Sequence, residues 1–164
     1  MLESSYIFKG NNFMRLSLLF IIFLLTLQSC KKDPVGGEVD EELRPYFELF
    51  KEEGEKRGVD IDYIANPING SILDIVTTGI AGQCFNDLNP PRIVIEEALW
   101  ENADESEKAF IVFHELGHCY LKQQHRDQQN SDGSCVSLMH SNPGVCRSEF
   151  AERPDDYYDE LFSE

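Results

Sequence analysis

The feature that most restricts this chain is a pair of histidines four residues apart inside a largely apolar stretch, ADESEKAFIVFHELGHCYLK, over residues 103–122. Acids fill its first turn, and Phe110, Phe113, Gly117 and Leu121 run along one side, so the spacing predicts a nearly buried helix from about Asp104. On such a helix His114 and His118 differ by about 40° around the axis and about 6 Å along it, so both reach one metal ion. Neutral imidazole is a favoured ligand of zinc, whose catalytic sites take three protein ligands and leave a fourth position to water. Glu115, next to the first histidine, is placed to accept a proton from that water.

The third ligand is set by reach. His125 is the nearest candidate, yet on an unbroken helix it would stand roughly 10 Å beyond His118 and could not share its metal. The helix is therefore expected to end near residues 121–123 and fold back. Asp127, Glu149 and His140 stand as alternative ligands on the same chemistry.

At the other end of the chain an apolar run from Leu16 to Leu27 follows Arg15, with the length and flanks of a secretory signal rather than a membrane span. Leu27-Gln28-Ser29-Cys30 resembles the lipobox of bacterial lipoproteins, in which the cysteine is lipidated and becomes the first residue; Gln28 departs from the small residue usual there. Met14 is a better start for that leader than Met1. The expectation is a signal peptide over 1–29, then lipidated Cys30 and a polar, flexible linker over 30–42, then a folded domain over 43–164. The only membrane contact expected is this lipid anchor, in the cell envelope of a bacterium, at the outer membrane and facing periplasm or exterior.

Such a compartment permits disulfides, and setting Cys30 aside leaves four cysteines, Cys84, Cys119, Cys135 and Cys146. Of the three pairings possible, Cys135 with Cys146 brackets a short loop and Cys84 with Cys119 ties a strand region to the histidine helix. The alternative for Cys119 is a buried free thiol. The chain holds 14 Lys+Arg against 30 Asp+Glu. Discounting Lys9, Arg15 and Glu3 of the leader leaves 12 against 29, a charge of -17 that repels phosphate backbones and excludes nucleic acid as a partner.

Within the domain, Leu43, Tyr46, Phe47 and Phe50 fall at helical spacing, with Pro45 in the first turn and Gly58 as a stop. Val59 to Tyr63, Ser71 to Thr77 and Arg92 to Glu96 read as three short strands, bounded by Asn66-Pro67, Asn69-Gly70 and Asn89-Pro90-Pro91. After the histidine helix the chain reads as loop through Arg147, and Asp155 to Phe162 as a short closing helix.

HELGHCYLKQQH followed by Ser137-Leu138-Met139-His140 resembles the metzincin metallopeptidases, whose motif is HExxHxxGxxH followed by a methionine-containing turn beneath the zinc. His114, Glu115 and His118 match, and Met139 fits the methionine. Leu121 stands where that family has its helix-ending glycine, and the third histidine arrives one residue late, with Gln124 in its place. The short snapalysin-like members are most similar, carrying a cysteine, a Leu-Met pair and a second cysteine after the zinc motif, here Cys135, Leu138-Met139 and Cys146. Their third ligand is an aspartate, which keeps Asp127 in view; a downstream glutamate fills that role in gluzincins, which keeps Glu149.

What the resemblance implies is a small α+β, zincin-like domain. A short twisted mixed sheet packs on an N-terminal helix and the HExxH helix, and a methionine turn and a short C-terminal helix follow. It implies a monomeric zinc endopeptidase holding one Zn2+ ion, with Glu115 as general base. A peptide or protein substrate lies along an edge strand, expected between Ser71 and Ile80 or in the loop after it, and the segment after Met139 lines a pocket beside the scissile bond. The rival readings are a surface lipoprotein that binds metal without turnover and a gluzincin-like hydrolase with Glu149 on the metal.

Overall fold

The computed structural model describes residues 36–163 apart from Thr78. The expected leader, the start at Met14, Cys30 and the first part of the linker lie outside the described residues.

The later part of that linker is not free chain. Val39 is buried and pairs with Gly70 as an isolated parallel bridge, the Asp40 N–H donates to the Gly70 carbonyl and the Gly70 N–H to the Glu38 carbonyl. A polar composition concealed one apolar residue with a sheet edge to pair on. A 3-10 turn over Glu41–Leu43 then leads into helix α1, Arg44–Lys56, which buries Tyr46, Phe47 and Phe50. The helix stops as the sequence implies. Gly58 takes φ +81°, the Val59 N–H donates to the Gly54 carbonyl and the Gly58 N–H to the Glu55 carbonyl, a Schellman closure that needs a residue without a Cβ penalty.

No strand forms at Val59–Tyr63. Ile61 and Tyr63 alternate into the core as a strand would, but Asp62 between them accepts the N–H groups of Ile64 and Ala65 through one carboxylate oxygen, and this local turn ends the extended run. The sheet consists of β1, Asn69–Leu73, β2, Gly82–Phe85, and β3, Arg92–Glu96, in the order β1-β3-β2. β1 runs parallel and β2 antiparallel to β3, so the sheet is mixed, with Ile93, Val94 and Ile95 of the central strand buried. β1 opens at Asn69-Gly70, within the expected turn, and ends at Leu73, before the expected limit. Helix α2, Glu97–Asn102, follows β3 directly and is capped by the Glu96 carboxylate on the Leu99 N–H.

Helix α3, Glu105–Cys119, carries the histidine pair. Asp104 accepts the Glu107 N–H while the Glu107 carboxylate accepts the Asp104 N–H, a reciprocal capping box that satisfies two otherwise orphaned donors. Ala109 through Gly117 are all buried, between α1, the sheet and the C-terminal helices. The chain then crosses to α4, Pro143–Glu152, a helix where loop was expected, and α5, Pro154–Leu161, close to the closing helix expected. Phe50 packs edge to face on Phe113 at 5.1 Å and on Phe162 at 5.0 Å, and Phe113 meets Tyr158 in a tilted pair at 4.7 Å, which locks the first, third and last helices together. This small α+β domain, with a mixed three-stranded sheet and an HExxH helix across it, has the layout of a zincin-like fold.

Candidate metal centre

Three imidazoles converge over α3. The ring centroids of His114 and His118 are 4.8 Å apart, as the one-turn spacing requires, and His125 lies 5.4 Å from the first and 4.7 Å from the second. One nitrogen of each falls within 4.8 Å of the others. His118 Nε2 and His125 Nε2 approach to 3.1 Å.

The opposite nitrogens are fixed from outside. His114 Nδ1 lies 2.9 Å from the Leu138 carbonyl oxygen and His118 Nδ1 lies 2.8 Å from that of Gln123. A carbonyl only accepts, so both Nδ1 atoms carry the proton and both Nε2 atoms present a lone pair. Carbonyl anchoring of the non-ligating nitrogen is the usual way a protein sets the tautomer of a metal-binding histidine. Burial holds the His114 pKa down to about 4 and lowers that of His118 as well, so both rings are neutral at neutral pH. The donor set therefore fits one zinc ion: three imidazoles on one centre, two of them held with the lone pair on Nε2, with room for a further ligand.

His125 gets there because the helix ends without a glycine. After Cys119 the Tyr120 and Leu121 N–H groups both donate to the Leu116 carbonyl, and Lys122, not Leu121, takes the left-handed conformation at φ 61°. Its ammonium donates to the Cys119 carbonyl at 2.6 Å and to Asn86 Oδ1 at 2.7 Å, so the side chain ties down an end-of-helix acceptor and bridges it to the residue after β2. The Gln123 N–H then donates to the Gly117 carbonyl, which sets the Gln123 carbonyl against His118. The one-residue delay in the motif is the length of this reversal.

The other proposed ligands are engaged elsewhere. Asp127 accepts the Ser141 N–H at 2.7 Å and faces His140 at 3.7 Å. Glu149 accepts the Cys135 N–H and the Tyr157 hydroxyl through Oε2. His140 is buried beside Cys135 and Cys146 and accepts the Asn142 N–H.

Glu115 is buried at the floor of the cleft, and desolvation raises its pKa to about 8. It packs against the backbone of β2: a Cβ at Gly82 would fall 2.8 Å from Glu115 Cγ and 2.9 Å from Oε1. Only glycine admits that approach. The strand beside the site is thus β2, which lies in the segment following Ile80, the second of the two places expected, while β1, formed from the first, is at the far edge of the sheet. The cleft is about 430 Å³ and is lined by Gly82, Gln83, the three histidines and Glu115.

Met139 is fully buried beneath α3, where a Cβ at Gly117 would overlap its Sδ and meet its Cε at 3.1 Å. Gly117 between the two histidines is therefore the socket for the thioether. The Met139 N–H donates to Ser137 Oγ, the Arg126 N–H donates to the Met139 carbonyl, and the neighbouring Leu138 carbonyl holds His114. Disulfides join Cys84 of β2 to Cys119 at the end of α3, and Cys135 to Cys146 of α4. The first clamps the strand over the helix that bears Glu115.

Motif reading did not reach Gly82, Asn86, Lys122 or the two carbonyl anchors. Lys122 gives no local signal of a left-handed residue, and a backbone carbonyl gives none at all. The chain matches no protein-family model, no curated protein and no solved structure.

Proposed function

We propose that the protein is a zinc-dependent endopeptidase of metzincin type, close in pattern to the snapalysin-like forms. The observation that carries the reading is the convergence of three imidazoles, two of them held as neutral Nδ1–H tautomers by carbonyls, beside a buried carboxyl under an edge strand. A zinc ion held there supplies Lewis acidity to a carbonyl oxygen and acidifies a water.

The chain's residues do the rest. The outer edge of β2 offers backbone donors and acceptors to an extended peptide, which sets the scissile carbonyl above Glu115. Glu115 takes a proton from the attacking water as the new C–O bond forms and delivers it to the amine nitrogen as the C–N bond breaks. Burial raises its carboxyl to about 8 in the metal-free protein, and a zinc cation held beside it would lower that value and free the carboxylate to accept the proton. No covalent acyl-enzyme is required.

The test is Glu115→Gln: zinc content equal to wild type with peptide cleavage abolished. A variant of that kind cleaving as fast as wild type refutes the mechanism. A metal-binding lipoprotein without turnover is the alternative, and it predicts zinc uptake with no cleavage of any peptide in a library.

The leader's order, with Cys30 after Leu27-Gln28-Ser29, supports a lipid-anchored protein of a bacterial envelope. Two disulfides in the folded part accord with an oxidising compartment. Mass spectrometry of protein extracted from membranes tests this, a mature N-terminus other than Cys30 being the refuting result. The acidic charge accords with a monomer that does not bind nucleic acid.

A further inference from the structure

Beside the histidine cleft lies a second cavity of about 540 Å³, and the two share Gly79, Ile80 and Ala81 as a common wall. A peptide laid along β2 in the first cavity therefore has the second within reach of a neighbouring side chain. Asn142, Gly144 and Arg147 of the chain following the methionine turn form part of its lining.

Arg147 is the informative group. Its side chain is 21% exposed, Nε is buried with no hydrogen-bond partner, and its ion pair with Glu107 stands at 3.6 Å, beyond hydrogen-bond length. A guanidinium presents five N–H donors in a planar fork that matches a carboxylate. Nε is enclosed and unpaired and the ion pair at Nη1 is longer than a hydrogen bond, so the part of the guanidinium that remains exposed has capacity for an arriving carboxylate.

Glu107 pairs with Arg147 and Glu96 lines the same cavity, and each acid gives one carboxylate oxygen to a helix N-terminus. Glu107 gives Oε2 to the capping box of α3, and Glu96 gives Oε2 to the Leu99 N–H at the start of α2. At those positions the helix N–H groups already offset their charge. Arg147 is the charged group of the cavity with open donors.

We infer that this cavity receives the side chain of a substrate residue flanking the scissile bond, and that Arg147 selects an aspartate or glutamate there. The inference rests on the peptidase reading and names the substrate class for it. Arg147 acts as a specificity residue and takes no part in the proton transfers.

The experiment uses the zinc-loaded full chain and peptides that differ only at the residues on either side of the cleaved bond, carrying Glu, Gln, Leu or Lys. The expected result is a kcat/KM at least about tenfold higher for Glu than for Gln or Leu at one of those positions. Arg147→Gln should bring the ratio of kcat/KM for the Glu and Leu peptides to about one, and Arg147→Glu should favour Lys. Arg147→Lys, which keeps the charge without the fork, should retain part of the preference and guards against a variant that fails to fold. Cleavage with no acidic preference, or an Arg147→Gln variant that slows every peptide alike, would overturn this inference alone. Failure to cleave any peptide would overturn the peptidase reading and this inference with it.

Discussion

Glu115 makes the metal-free protein measurably dependent on pH. Burial raises its carboxyl to about 8, whereas in the unfolded chain the group titrates near the ordinary 4.5. Between those values the folded protein holds a proton that the unfolded chain has released. The unfolding free energy therefore falls as pH rises, is best preserved at the acidic end and levels off above pH 8. His114 and His118, whose pKa values are lowered from 6.5, are still partly protonated in the unfolded chain just above pH 6.5, so they add a smaller opposing rise that fades by about pH 7.5. At about 1.4 kcal/mol per pH unit, with the Glu115 slope halved by pH 8, wild-type protein in excess chelator should lose on the order of 1 kcal/mol of stability between pH 6.5 and 8. Glu115→Gln has no proton to lose and should not fall across that window. Urea denaturation with disulfides intact, at half-unit steps of pH, measures both. A wild-type curve that is flat or rises, or a glutamine variant that falls in parallel, would refute the assignment of a buried, protonated Glu115.

Gly82→Ala places a methyl 2.8 Å from Glu115 Cγ, so we expect kcat/KM to fall at least about tenfold with zinc content unchanged, as read by peptide cleavage beside metal analysis. His125→Ala should weaken zinc by more than about 100-fold in a competition assay, exceeding the usual effect of an outer-sphere change. Glu149→Ala should leave affinity intact and cost about 1–3 kcal/mol, because the Cys135 N–H and the Tyr157 hydroxyl lose their acceptor. Removing the Cys84–Cys119 bond with paired serines opens a 35-residue separation and should cost about 4 kcal/mol by loop entropy, measured in chelator.

How much of this the sequence discloses depends on how local each cause is. The histidine pair and Glu115 are legible because one helical turn brings them together and the turn is written in the residues around it. α1 is legible for the same reason, down to its glycine stop. β2 is not: Gly82-Gln83-Cys84-Phe85 has no β-branched residue and becomes a strand through pairing with Arg92–Ile95, ten or so residues away. The opposite error occurs at Val59–Tyr63, where residues of the right kind find no partner and Asp62 turns the chain instead. α4 opens on Pro143-Gly144, a pair that signals a loop, and is held as a helix by the Cys146 disulfide and the burial of Phe150.

The third ligand shows where a motif gives a requirement and the structure gives its means. Geometry alone demands that α3 break before His125, and the glycine that makes the break in metzincins is absent. A non-glycine residue at φ 61° costs on the order of 1–2 kcal/mol. Lys122 offsets this with two hydrogen bonds from one ammonium, to Cys119 and Asn86. The two contributions separate by mutation. Lys122→Ala keeps the strain and loses both bonds, while Lys122→Gly loses the same bonds and removes the strain, so the glycine variant should be the more stable by about 1 kcal/mol. Zinc affinity should follow the same order, because the reversal carries both the Gln123 carbonyl behind His118 and His125 itself. An alanine variant as stable as the glycine variant, with equal zinc affinity, would show that the reversal is held by its backbone alone and that Lys122 has no part in placing the third histidine.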